Sequence, residues 1–237
     1  MEKQNKRVCV YCGTKEKLTK DHIPPKNLFA PPRPVSLITV PCCQKCNVQA
    51  SKDDEYFRNV LVLRKDIEDN HSGAQAVKPA VMRGYAKKKQ QRFLDALLKE
   101  VRMVDVYTPA GIYLGKEWTY SVNLERTDRV VCRIAKGLYY HHYSLRVPDT
   151  FNISSFSLDE NNFSNKDSYK ELINIASVLY KNQPNVIGND VFAYWHQFFG
   201  NHETSSVWLL SFYRRAYWVT FIQPRALEDG KKPSESA

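Results

Sequence analysis

The stretch VPCCQKCNVQASKDDEYF, Val40 to Phe57, holds the transition that decides the fold. Its start closes a run with prominent β-branched residues, its middle carries a C-x-x-C pair, and its remainder lacks Pro and Gly and reads as helix. A second C-x-x-C pair lies upstream in CVYCG, at Cys9 and Cys12. A two-residue spacer lets one tight turn aim both sulfurs at a single ion, and two such pairs complete a tetrahedron. Cys9, Cys12, Cys43 and Cys46 are therefore expected to bind a structural Zn²⁺. Cys42 stands one position too far from Cys46 for that spacing, which leaves it as a small buried apolar side chain.

The 30 residues from Gly13 to Cys42 exceed what a minimal zinc ribbon holds, so the zinc is expected to pin the ends of an inserted element. That insert contains LTKDHIPPKNLF, Leu18 to Phe29, in which Asp21 and His22 are followed at once by Pro24 and Pro25. Leu18 to Ile23 reads as one strand, APPRP (Ala30–Pro34) as an extended loop, and SLITVP as a second strand. Helix follows from Gln44, with Asp53, Asp54 and Glu55 available to cap a second start if the first turn is a separate knuckle helix. The sum is a ββα unit over a zinc.

The chain has 237 residues and 43% hydrophobic content, enough for a substantial core. Lys plus Arg number 35 against 25 Asp plus Glu, a formal charge of +10, which favours polyanionic partners over acidic proteins or neutral metabolites. No apolar run approaches the roughly 18 residues of a membrane span, and the start MEKQNKRVCV lacks an apolar signal core. The expectation is a cytoplasmic protein with no membrane partner. In that reducing compartment the six cysteines read as metal ligands before disulfides.

Four segments are expected: the zinc-pinned unit over 1–70, a basic linking helix over 71–101, an α+β domain with aromatic-rich strands over 102–225, and a disordered tail over 226–237. The turn-rich DNHSGAQ (Asp69–Gln75) marks the first boundary. From Lys78 to Arg102 eight basic residues face two acidic ones, so Lys87, Lys88 and Lys89 sit on a face that either tracks phosphate or is simply solvated. A hairpin is expected over 102–122, a core helix over Thr127–Tyr143 with Val130, Val131, Ile134 and Leu138 on one face, and a helix in YKELINIASVLYK. Strands follow in DVFAYWHQFF, SVWLLSFY and AYWVTFI.

The set CVYCG, LTKDHIPP and CCQKCNVQASKDD resembles the HNH endonuclease family, whose ββα-metal unit often carries two flanking zinc knuckles. The resemblance covers Cys9 to about Phe57. It implies a metal-dependent endonuclease acting on DNA, RNA being the alternative substrate, with His22 as general base and Asp21 and Asn47 holding a catalytic Mg²⁺ or Mn²⁺. Phosphodiester chemistry asks for the same residue types: an imidazole with an ordinary pKa of about 6.5 accepts the proton of the attacking water. A divalent cation on hard oxygen ligands offsets the charge that develops on the phosphorus and the leaving oxygen. Neighbours on a regular strand point to opposite faces, so a bend at Asp21-His22 is expected to let both flank one phosphate, with the prolines ending the strand.

One departure from the family stands out. A middle Asn that orients the imidazole is replaced by what aligns as Ser36, whose hydroxyl makes fewer contacts. The alternative function is therefore a catalytically weak or inactive zinc-stabilised module that binds nucleic acid. Lys52 reads equally as a phosphate contact and as a surface lysine. Cutting both strands with one site per chain calls for a homodimer or two successive nicks. His141 and His142 sit about 100° apart on a helix and read as packing or surface rather than a metal pair. The stripe of Trp208, Phe212, Tyr217 and Trp218 beside Arg214 and Arg215 reads as a hairpin with one face in the core, with base stacking as the alternative.

Overall fold

The structure is a computed structural model that describes residues 8–86, 95, 98–108, 110–159, 162–199 and 205–225. The fold is mixed α+β, as the sequence implies. Strands β1 (Leu18–Ile23) and β2 (Ile38–Cys43) form an antiparallel pair, with a 3₁₀ turn over Lys26–Leu28 between them. Helices α1 (Gln44–Val62), α2 (Lys65–Glu68) and α3 (Ser72–Tyr85) follow, then a hairpin of β3 (Arg102–Tyr107) and β4 (Tyr113–Thr119). Helix α4 (Leu124–Tyr143), β5 (Phe151–Ser157) and α5 (Lys166–Tyr180) lead into β6 (Asn185–Ile187), β7 (Phe192–Phe198), β8 (Ser206–Phe212) and β9 (Ala216–Pro224). The last five strands build one antiparallel sheet in the order β5-β9-β8-β7-β6.

Helix α1 starts where the sequence places it, and the conditional second start does not occur. It begins at Gln44 and runs without a break, and its N-cap is Cys43, whose sulfur accepts the backbone N–H of Cys46. A separate knuckle helix is absent, and Asp53, Asp54 and Glu55 lie mid-helix. Asp53 is instead paired with Arg126 at 2.7 Å and Arg129 at 2.8 Å, two cations of α4. Helix α4 itself is capped by the Asn123 side chain and closed by Ser144 in the left-handed region. It buries the expected face of Val130, Val131, Ile134 and Leu138.

The core does not break near residue 70. One cluster of buried side chains runs from Val10 and Ile23 through Phe57 and Ile134 to Trp208, Phe212 and Ile222. Phe57 on α1 meets Phe212 edge-on with 4.9 Å between ring centres, and Trp218 lies 5.5 Å away. Helix α3 starts inside the expected turn, where the His71 ring accepts the Gly73 N–H, and it buries Ala74, Val77, Val81 and Tyr85. It is a packed element rather than a linker. Lys87, Lys88, Lys89 and the 226–237 tail lie outside the described residues.

The aromatic strands are core on both faces. Every residue of β8 is buried. Trp208, Leu210 and Phe212 belong to the main cluster, whereas Val207 and Leu209 join Leu172, Ala176 and Leu179 of α5 in a second cluster on the opposite face. Trp208 and Phe212 are wholly inside, so they offer no stacking platform to bases. Among the described residues, no helix is long and apolar enough to cross a membrane.

Candidate functional site

The four cysteines converge. The sulfurs of Cys9, Cys12, Cys43 and Cys46 all lie within 4.8 Å of one another, and Cys12 and Cys43 are 3.7 Å apart. Ligands at about 2.3 Å from a tetrahedral zinc stand about 3.8 Å from each other, so the set is positioned for a metal ion and fits zinc in distance and chemistry. Local backbone prepares it. Gly13 takes φ +74 in the first knuckle, a conformation that glycine adopts without steric cost, and its N–H bonds the Cys9 carbonyl. Burial raises the Cys9 thiol, but backbone N–H groups at Cys43, Cys12 and Tyr11 outweigh it and bring the thiol down to about 7. Cys42 turns its thiol away to its own neighbour's carbonyl and stays buried, as its spacing implied.

Beside the knuckles lies a cavity of about 220 Å³ lined by β1, the 3₁₀ turn and the first turns of α1. Asp21, His22 and Asn47 all border it, together with Lys20, Lys26, Asn27, Ser51 and Asp54. The expected bend is not needed. The β1–β2 register runs unbroken from Leu18 opposite Cys43 to Ile23 opposite Ile38, and the strand ends directly before Pro24. Asp21 and His22 point to opposite faces and still border one cavity, because it lies along the edge of β1 that carries no neighbouring strand.

Asp21 is buried, and its carboxylate is held from two sides. The Tyr11 hydroxyl donates to Oδ2 at 2.5 Å, and Arg133 Nη2 of α4 lies 2.8 Å from the same oxygen. Arg133 also reaches Asp54 Oδ2 at 3.3 Å and lies over the Tyr11 ring at 4.8 Å. Burial pushes the Asp54 carboxyl up to about 7, against the pull of Arg133 and with the negative charges of Asp21 and Asp53 adding to it. Burial, then the charges of Lys26, Arg33 and Lys20, hold the His22 imidazole below its ordinary value, with Asp21 opposing them. His22 is therefore neutral at pH 7 and able to take a proton.

The donor set fits a hard cation. Asn47 gives its amide to Thr19 at 3.3 Å, and Asn27 gives its amide to the Asp54 carbonyl at 2.9 Å, so both keep an oxygen as acceptor. Asn27 Oδ1 and Asp54 Oδ1 are buried with no donor. Two orphaned oxygens beside a second carboxylate are what a divalent ion or bound water satisfies. Among the described residues, however, the cysteines are the one group of three or more His, Cys, Asp and Glu side chains placed to hold a metal ion. Asp21, His22 and Asp54 do not form such a group.

The remaining expected residues fall elsewhere. Ser36 is exposed in the turn before β2, and the residue paired with His22 across the ladder is Thr39; the strand begins two residues later than SLITV implied. Lys52 is exposed on α1, and its carbonyl accepts from Arg126. His142 packs with Tyr194, His196 and Trp208, and His141 is exposed. Cys132 is half-buried, and burial pushes its thiol up to about 11.

The sequence does not single out Tyr11, Asn27 and Arg133, and it places Asp54 as a helix cap or surface carboxylate ahead of a metal ligand. Two signals were present: Asn47, Ser51 and Asp54 recur at helical spacing on α1, and Arg133 interrupts the apolar face of α4 between Val130 and Gly137. Compared with family models, curated proteins and solved structures, the chain gives no match.

Proposed function

We propose that the chain is a metal-dependent nuclease of HNH type that hydrolyses phosphodiester bonds in DNA. The observation that carries this reading is the shared cavity: Asp21, His22 and Asn47 border one space between β1 and the start of α1, pinned by the four-cysteine site. His22 accepts the proton of the attacking water, a step its depressed pKa leaves available at neutral pH. Asp21 and Asn47 would hold Mg²⁺ or Mn²⁺, with Asn27 and Asp54 next to them. When bound, such an ion offsets the negative charge on the phosphorus and the leaving oxygen. Lys20 and Lys26 on the rim draw in the phosphate. Zinc has no part in the reaction beyond holding both ends of the ββα unit.

The test is nicking of supercoiled plasmid in Mg²⁺ or Mn²⁺. His22→Ala is expected to cut the rate by about 10²- to 10⁴-fold, the usual contribution of a general base, with zinc content and melting temperature unchanged. Equal nicking by the variant refutes the assignment. The acid limb of the rate profile is expected below pH 6.5, because the imidazole loses its capacity to accept a proton only once pH falls through its lowered value.

A second reading has its own observation. Asp21 already satisfies Oδ2 with Tyr11 and Arg133, as a structural carboxylate would. That reading is a zinc-stabilised nucleic-acid-binding module, and it requires salt-sensitive DNA binding with no turnover in any divalent metal.

A further inference from the structure

Arg133 lies far from the ββα unit in sequence, yet it is the residue that meets the cavity's two carboxylates. Its side chain is 12% exposed and lies 2.8 Å from Asp21 and 3.3 Å from Asp54. One turn further along α4, Gly137 sits directly beneath Ile23, where an added Cβ would stand 2.5 Å from the Ile23 side chain. Arg133 and Gly137 are spaced i and i+4, and Asp21 and Ile23 are spaced i and i+2 on the buried face of β1. The helix is therefore seated against the strand so closely that the guanidinium reaches the carboxylates without slack.

From this seating we infer that Arg133 is a positioning residue that clamps Asp21 and sets the charge of the cavity, so that a divalent cation is held weakly until a phosphate joins it. The inference rests on the nuclease reading for its catalytic consequence. Its electrostatic part stands on the geometry alone. Asp21 and Asp54 bring two negative charges and Arg133 removes one, while Lys20 and Lys26 on the lining add two positive charges and Asn27 and Asn47 bring none. A cavity whose carboxylates are outweighed by neighbouring cations binds a divalent ion poorly by itself, since affinity for hard cations rises with ligand charge and preorganisation.

Tyr11 is the other jaw. It sits between Cys9 and Cys12, inside the knuckle, and donates to the same oxygen as Arg133. With Oδ2 taken twice, Oδ1 is the Asp21 oxygen left for an ion. Residues outside the ββα unit thus complete its site, and the helix that carries Arg133 belongs to the cavity as much as β1 does.

The experiment measures Mn²⁺ binding to the zinc-loaded, DNA-free protein by electron paramagnetic resonance at pH 8, where Asp54 is ionised, alongside plasmid nicking. Arg133→Met is expected to bind Mn²⁺ roughly tenfold more tightly, because a cation close to the site is gone, while nicking falls because Asp21 is no longer held. The two changes have opposite signs, whereas a merely structural role would weaken both. Arg133→Lys keeps the charge without the fork, so Mn²⁺ affinity should stay within about threefold of the parent with nicking reduced. Zinc content reports folding, and if Arg133→Met loses zinc, Arg133→Lys decides.

Mn²⁺ affinity unchanged or weakened in folded Arg133→Met overturns the inference, as does full nicking by Arg133→Lys. If the parent protein and His22→Ala are equally inactive, the nuclease reading fails while the Mn²⁺ titration still decides the clamp. If His22→Ala alone abolishes nicking and Arg133→Met does not tighten Mn²⁺, the clamp fails and the nuclease reading stands.

Discussion

The ββα region and the five-stranded sheet present α4 with two different interiors. Towards β1 and α1 the helix buries an arginine against two carboxylates and a tyrosine, beside a cavity that keeps two acceptor oxygens without donors. Towards the sheet it buries Val131, Ile134, Leu138 and Tyr139 in a continuous apolar cluster. Apolar packing is non-directional and stabilises in proportion to area. A buried polar network is favourable only where every group is satisfied. The sheet therefore carries the stability, and the unsatisfied oxygens beside β1 mark where a ligand has something to gain.

The contrast can be broken most forcefully at the four-cysteine site. Cys46→Ser, or a strong chelator, is expected to abolish zinc binding and unfold the knuckles and β1–β2, since structural zinc contributes on the order of 10 kcal/mol to small domains; metal analysis with circular dichroism checks it. A variant that keeps its melting temperature without metal would show that the apolar core alone holds the ββα unit.

Next comes a pair of substitutions with opposite signatures. Trp208→Ala, at a wholly buried position, is expected to cost about 3–5 kcal/mol in denaturant unfolding. His22→Ala is expected to change stability by less than about 0.5 kcal/mol while removing nicking. If His22→Ala destabilises as much as Trp208→Ala, the cavity is structural.

A smaller effect tests the seating of α4. Alanine normally stabilises a helix interior relative to glycine by about 1 kcal/mol, but at Gly137 the added Cβ meets Ile23 at 2.5 Å. Gly137→Ala is expected to destabilise by about 1–3 kcal/mol as Ile23 is displaced, and to lower nicking through the neighbouring His22. Stabilisation would mean that the strand and the helix are looser than they stand.

The mildest effect comes from acid on the sheet side. His142 is held down to about 4 by burial first and then by the charges of His196 and His141, while its ring nitrogen meets the Tyr194 hydroxyl at 2.9 Å. A histidine depressed in the folded state takes up protons on unfolding, so its contribution is present above its ordinary value of about 6.5 and is lost as pH falls towards about 4. The melting temperature is expected to drop over that window, and His142→Gln is expected to flatten the drop.

How far the sequence could be read varies with the locality of the signal. Each C-x-x-C pair is set by a short turn, so the pairs were legible, and so was the exclusion of Cys42. The face of α4 followed from its 3.6-residue period, and the strand end at Ile23 from the prolines behind it. The start of α1 at Gln44 is legible, whereas the conditional second start at Asp53–Glu55 is not taken, because acidic residues there only imitate a capping segment. The partners of Asp53, Arg126 and Arg129, lie more than 70 residues away. The aromatic strands were read as core on one face, but α5 covers the second face, and nothing within SVWLLSFY announces a helix packed on it.

By itself the sequence determined the α+β class, the four cysteines that converge and the helical and extended periods, because each depends on spacing over a few residues. Tertiary structure alone decided that Tyr11 and Arg133 hold Asp21, that Asn27 and Asp54 join the cavity, and that the core runs unbroken past residue 70. Those outcomes depend on which distant charges and surfaces meet when helices and sheets pack, and no local pattern encodes that meeting.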